Sequence, residues 1–118
     1  MLQSPNHNGR RQRTIGIILH STRSGLAWRE AEYQRTINYM LQLNTVSSHR
    51  VIGVLEGQHA QMVEDDLIAW HAQEDNQAWL GIEFCQPLPT DEYSDWQIQT
   101  GIAVVKAWCR KYNIIPSA

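Results

Sequence analysis

Five segments of the chain concentrate apolar residues in a recognisable period, and each period names an element. Thr14 to His20, TIGIILH, is short, rich in β-branched residues and bounded by polar ones, which predicts a buried strand rather than a helix. The polar, glycine-containing stretch STRSGL follows as a loop. From Trp28 to Leu43 the period lengthens. Trp28, Ala31, Tyr33, Ile37, Met40 and Leu41 approximate one face among Arg, Glu and Gln, the signature of an amphipathic helix. The residues NTVSS break it. His49 to Leu55 and Gln58 to Val63 read as two strands joined by a tight turn at Glu56-Gly57, a β-hairpin. Trp79 to Phe84, WLGIEF, is another short strand, followed by the proline-punctuated loop QPLPTDEYSD.

The last element has the strongest start signal. Ser94 with Gln97 three residues later forms a capping-box pattern, in which each side chain satisfies an orphan donor of the first turn. Ile98, Ile102, Val105, Cys109 and Tyr112 then recur at alternating intervals of four and three, which predicts one buried stripe on a helix ending near Asn113. The order strand, helix, hairpin, strand, helix predicts an α/β fold: a single domain with a central mixed β-sheet flanked by helices.

Composition narrows the class. A chain of 118 residues with 42% hydrophobic and 19% charged residues is sized and balanced for one soluble globular domain. No apolar run approaches the roughly 18 residues of a membrane span, so no membrane insertion is expected. Ten Lys and Arg against 12 Asp and Glu leave a net charge of -2, which gives no general attraction to nucleic acid or anionic lipid. Residues 1–13 read as an irregular polar head, with Arg10, Arg11 and Arg13 in a solvated tail, and residues 14–118 as the domain. The head lacks the apolar core of a secretory signal, favouring a cytoplasmic setting or release by lysis over signal-directed export. Cys85 and Cys109 make no Cys-x-x-Cys pair and read as buried free thiols, which excludes a Cys-rich structural zinc site.

Five histidines are the candidate chemistry, and His7 and His59 read as solvent-exposed. His20 closes a buried strand, where the residues before it hold its backbone while the ring keeps access to solvent. That position suits a metal ligand, since a catalytic zinc commonly takes three protein ligands and keeps one position open. A structural histidine satisfied by its neighbours fits the same position. Glu83 sits inside an apolar strand, with Leu80, Ile82 and Phe84 pointing one way and Gly81, Glu83 and Cys85 the other. A carboxylate there needs a partner or a task, and burial would raise its pKa into the range of a general base or acid. The outer face of an edge strand is the alternative.

Taken in order, IILHST, TINYML, VSSHRVIGVLEGQHAQMVEDDLIAWHAQ, NQAWLGIEF and YSDWQIQTGIAVVKAWCRKYNI resemble one family. It is the zinc-dependent N-acetylmuramoyl-L-alanine amidases of the type-2 group, related to peptidoglycan recognition proteins and phage amidase endolysins. The resemblance covers about residues 14–115. It implies that His20 is the first Zn²⁺ ligand and that Glu83 handles the proton of a metal-bound water. On the substrate side it implies His71, with Asn76, and Trp70 and Trp79 are candidates for such a groove by position alone; Asn76 and His49 would also support the site's shape and hydrogen bonding. The implied substrate is peptidoglycan or a muropeptide, cut between the lactyl group of N-acetylmuramic acid and L-alanine.

The family takes its remaining zinc ligands from a segment after the last helix, and no histidine follows His71 in this sequence. The Zn²⁺ site is therefore expected to be incomplete. Two expectations stand side by side: a C-terminally incomplete amidase, or a muropeptide-binding module without turnover. Ser48 and Arg50 flank His49 where some relatives place a tyrosine, so a tyrosine-assisted mechanism does not carry over.

Overall fold

The strand WLGIEF lies inside the main sheet, with a neighbour on each side. A computed structural model describes residues 3–25 and 28–116. In chain order these form β1 (His7–Arg10), β2 (Gly16–Ser21), α1 (Glu32–Met40), β3 (Arg50–Ile52), β4 (His59–Gln61), β5 (Leu67–Ala69), β6 (Trp79–Phe84) and α2 (Asp95–Lys111). The main sheet has the order β2-β6-β3-β4, with β6 parallel to β2 and β3, and β4 antiparallel to β3. This is the predicted mixed sheet between helices. No helix among the described residues is long and apolar enough to cross a membrane.

Alternation along the strands sorts the core into two layers. Val51 and Cys85 point with Ile37 and Met40 of α1 into one cluster, together with Ala60 and Met62. Ile52, Leu80, Ile82 and Phe84 point the other way, onto Val104 and Trp108 of α2. The β3–β4 hairpin turns where expected. Gly57 takes a φ of +89°, and Gln58 N–H closes the turn on Leu55 O at 3.0 Å.

The buried stripe of α2 differs from the expectation. Ile98 and Ile102 remain 49% and 50% exposed, and the buried positions are Gln97, Gly101, Val104 and Trp108. These repeat the same four-three rhythm one residue earlier, which rotates the helix by roughly 100° about its axis. Two side chains account for that choice. Trp108 brings the largest apolar surface. Gly101 lets the helix lie close to β6, since a Cβ there would come 2.8 Å from Phe84 Cζ. The capping box is formed, with Gln97 N–H on Ser94 Oγ at 3.2 Å and Ser94 N–H on Gln97 Oε1 at 3.0 Å.

The head also needs correction, because residues 7–10 are a strand. β1 pairs antiparallel with β5, a strand the sequence pattern did not reveal. Ser4 and Asn6 are buried, and Asn6 Oδ1 accepts from Asn44 N–H at 2.8 Å while its amide nitrogen reaches Gln42 O at 2.8 Å. Arg11 belongs to the core edge rather than to a solvated tail. Its Nε donates to Thr14 Oγ1 at 2.7 Å, its Nη1 to Leu67 O at 2.9 Å, and its guanidinium lies over the Tyr112 ring. α1 is shorter than predicted: Arg29–Ala31 forms one 3-10 turn, Trp28 is exposed, and Leu41 lies beyond the last helical turn.

His59 is half-buried beside Arg50 rather than exposed, and His7 is likewise only partly exposed. Both cysteines are free, Cys85 buried and Cys109 half-buried. Burial pushes the Cys85 thiol up to about 12, so it is inert at neutral pH.

Candidate functional site

His20 and Glu83 arise from the same accident of register. β2 and β6 run parallel and pair His20 with Glu83, so both side chains leave the same face of the sheet near the carboxyl ends of their strands. Open α/β sheets commonly bind ligands outside those ends. β6 is flanked on both sides, so Glu83 does not occupy the solvated edge that was the alternative. Its Oε2 is buried and has no hydrogen-bond partner. Burial, and then the charge of nearby Glu32, raise its carboxyl to about 7.

Glu32 was not singled out by sequence reasoning. It is 1% exposed at the start of α1. Burial alone would raise its pKa, but the 2.6 Å bond from Arg35 Nε and contacts with Ser24 and Thr22 hold it below the ordinary carboxylate value. Glu32 thus stays charged while Glu83 titrates near neutrality. The available signal was the Glu-x-x-Arg spacing within the helix, which places the two on one face. Glu83 lines an open groove of about 320 Å³ with Thr22, Ser24, Arg35, Thr36 and Tyr39.

The histidines form a row. His20 Nε2 lies 3.0 Å from His71 Nδ1, with the rings nearly perpendicular at 84°, and the His49 ring centroid is 5.9 Å from that of His71. His49 is fully buried. Gly81 N–H donates to its Nδ1 at 3.1 Å, so the ring hydrogen sits on Nε2 and goes to Leu67 O at 2.8 Å. Burial drives its pKa down to about 4, so it is a neutral structural link between β6 and β5. Burial also lowers His20 and His71 from 6.5.

His71 is held from three directions. Its Nε2–H donates to Trp79 O at 2.9 Å. Asn76 Oδ1 accepts from the backbone N–H of His71 at 2.9 Å and of Ala72 at 2.6 Å, fixing the turn that carries the ring. Gly81 leaves the space the ring fills, since a Cβ there would lie 2.5 Å from His71 Nδ1. The sequence-predicted His20, His71, Asn76 and His49 therefore stand together, with Glu83 on the same sheet face. Trp70 does not join them. Its indole N–H turns to β1 and donates to Asn8 Oδ1 at 3.0 Å.

The donor chemistry fits one position of a zinc centre and not the whole of it. His20 offers an imidazole, but among the described residues no group of three His, Cys, Asp or Glu is placed to hold an ion. What these residues supply by themselves is a carboxyl group able to take and return a proton near pH 7, lining an open groove, with His20 at the paired position of the neighbouring strand.

Comparison with solved structures gives the same fold. The crystal structure of an AmpD derivative superposes with a TM-score of 0.70 at 24% identity, over 95% of this chain and 74% of that one. PlyL matches with a TM-score of 0.71 at 19% identity, covering 98% and 74%. The N-acetylmuramyl-L-alanine amidase AmiD from E. coli, solved with anhydro-N-acetylmuramic acid-L-Ala-D-γ-Glu-L-Lys, gives 0.66 at 21% identity, covering 92% of this chain and 47% of that one. Comparison with curated protein sequences gives no match. The family model for N-acetylmuramoyl-L-alanine amidase (Amidase_2) matches residues 10–118. A match of that extent, on a fold that sets His20 and Glu83 side by side, identifies the chain as a member of the Amidase_2 family.

Proposed function

We propose that the chain hydrolyses the amide between N-acetylmuramic acid and L-alanine in peptidoglycan or a muropeptide, as a zinc-dependent amidase with Glu83 as its proton carrier. The observation that carries this reading is Glu83. A carboxyl raised to about 7, with a buried, unbonded oxygen, faces the same side of the sheet as His20 and lines an open groove. In its ionised form Glu83 takes a proton from the water that adds to the amide carbonyl. It then returns that proton to the alanine nitrogen as the carbon–nitrogen bond breaks, leaving a lactyl carboxylate and a free amine. His20 would hold one coordination position of Zn²⁺.

The test is incubation of the purified chain with a muropeptide carrying an intact stem peptide, with mass spectrometry of the released peptide. Release that requires added Zn²⁺, stops with a chelator and is lost in both His20→Ala and Glu83→Gln is the expected result. Release persisting in Glu83→Gln would overturn the assignment. A second reading has its own observation. The described residues lack a three-ligand metal site, and a Drosophila peptidoglycan recognition protein, PGRP-SA, shares the fold with a TM-score of 0.59 at 18% identity. Binding of the intact muropeptide without turnover, indifferent to chelator, would establish that reading instead.

A further inference from the structure

The row of histidines fixes where every ring hydrogen lies. Trp79 O can only accept, so His71 Nε2 carries the hydrogen of its neutral ring and His71 Nδ1 is a bare lone pair. That lone pair lies 3.0 Å from His20 Nε2, so His20 must be the donor across this contact. A neutral imidazole has one N–H. His20 spends its hydrogen on His71, and its remaining lone pair is on Nδ1.

We propose that His71 is a positioning residue, an anchored hydrogen-bond acceptor that locks His20 in its Nε2–H form and presents His20 Nδ1 as the nitrogen for a metal ion or a proton. This deepens the amidase reading and rests on it for the identity of the ion, while the tautomer itself does not depend on that reading. Three features serve this arrangement. The Trp79 carbonyl fixes the His71 ring from its far side. Asn76 fixes the turn behind it through the two N–H groups of His71 and Ala72. Gly81 keeps the ring's place open, since a Cβ there would press on Nδ1, Cγ and Cε1 at 2.5 to 2.9 Å. Histidines that present one ring nitrogen to a ligand characteristically give their other ring N–H to such a fixed acceptor. The sequence resemblance placed His71 against substrate. The geometry turns its Nδ1 to His20 and its Nε2 to the backbone.

The experiment is nitrogen-15 NMR of the imidazoles in the full, metal-free chain at pH 7.5, followed by titration with Zn²⁺ alone. The expected metal-free spectrum shows both His20 and His71 as Nε2–H tautomers, and any Zn²⁺ taken up moves His20 Nδ1 while His71 keeps its Nε2–H. In His71→Ala the His20 tautomers mix. His71→Asn, whose Oδ1 can stand in for Nδ1, restores the single tautomer. An Nδ1–H form of His20 in the metal-free wild type would overturn the proposal, and needs no variant to be seen. So would Zn²⁺ shifts at His20 Nε2 together with His71 Nδ1, which would make the pair a two-ring chelate. Failure of Zn²⁺ to bind, with the tautomers as stated, would support the lock and count against the zinc-dependent reading.

Discussion

Replacing Gly81 by alanine separates two effects of opposite sign. Gly81 sits within β6 without a positive φ, so its backbone already suits an L-residue. Where space allows, glycine to alanine at such a position stabilises by about 0.4–1 kcal/mol through the unfolded chain. Here the added Cβ would stand 2.5 Å from His71 Nδ1 and 2.8 Å from His71 Cγ. The ring must move, and it moves off Trp79 O and His20 Nε2. Overpacking of this kind costs about 1–3 kcal/mol, and each of the two lost hydrogen bonds about 0.5–1.5 kcal/mol, so after the gain through the unfolded chain a net loss of about 3 kcal/mol is expected. With an unfolding entropy of roughly 2.1 cal/mol/K per residue over 118 residues, near 0.25 kcal/mol/K in total, Tm falls by about 12 °C. Thermal unfolding followed by circular dichroism measures this, and the His71 imidazole signals should shift with it. Gly101→Ala is the control. Its Cβ would meet Phe84 Cζ at 2.8 Å on the far side of the sheet, so it should lower Tm while leaving the His20 and His71 signals in place. A Gly81→Ala protein with equal or higher Tm and unchanged imidazole signals would refute the close packing of His71 on β6.

Three further outcomes follow from buried polar groups. Glu83, at about 7 in the folded chain against an ordinary 4.5, makes stability fall as pH rises from about 4.5 to 7. His49, at about 4 against 6.5, adds stability that is complete above 6.5 and lost as pH falls towards 4. The two oppose each other with effects on the order of 3 kcal/mol each, so Glu83→Gln should expose a stability that climbs with pH up to about 6.5 in urea titrations, where the wild type is flatter. Arg11→Ala removes the bonds to Thr14 and Leu67 and the cover over Tyr112, and should cost about 1–3 kcal/mol in urea titration; a loss under ~0.5 kcal/mol would return Arg11 to a solvated tail. Gln97→Ala breaks the capping box and strands Cys85 O, which its amide reaches at 2.9 Å, so a loss of about 2 kcal/mol is expected, against ~0 for Gln99→Ala on the exposed side of α2.

What the sequence made legible was what burial writes into a local period. β6 read as a strand because both of its faces meet protein, and β2 because of its β-branched run, although it lies at the sheet edge with Leu19 59% exposed rather than buried. The capping box of α2 is a contact between near neighbours. The rotation of α2 was not legible, because residues 98, 102, 105 and 109 and residues 97, 101, 104 and 108 keep the same rhythm. The winning set contains a glutamine and a glycine, which hydropathy discounts. Gln97 is buried because its amide satisfies main-chain carbonyls, and Gly101 because a side chain would collide with Phe84. β1 was hidden for a related reason. HNGR carries no apolar alternation, and its order comes from main-chain bonds to β5 and from Asn6 and Arg11 reaching chain segments far away in sequence.

The site divides along the same line. Glu83 was legible because a carboxylate among Leu80, Ile82 and Phe84 is locally anomalous, and the parallel register of β2 and β6 then decides that it shares a face with His20. The resemblance put His71 on the substrate side and Asn76 there and among the supports, but it did not say how the fold holds them. That depends on a contact between His20 and His71 across 51 positions of sequence, on a carbonyl that can only accept, and on the missing Cβ of Gly81. Asn76 never needs to reach a ligand to matter, because the two N–H groups it holds belong to the turn that aims His71. A polar residue beside a site can therefore be indispensable through the backbone alone. Asn76→Asp keeps the acceptor oxygen and should keep the His20 tautomer, whereas Asn76→Ala should loosen the turn and mix it. A ligand-contact role for Asn76 would instead show as weakened muropeptide binding in both variants with the tautomer unmoved.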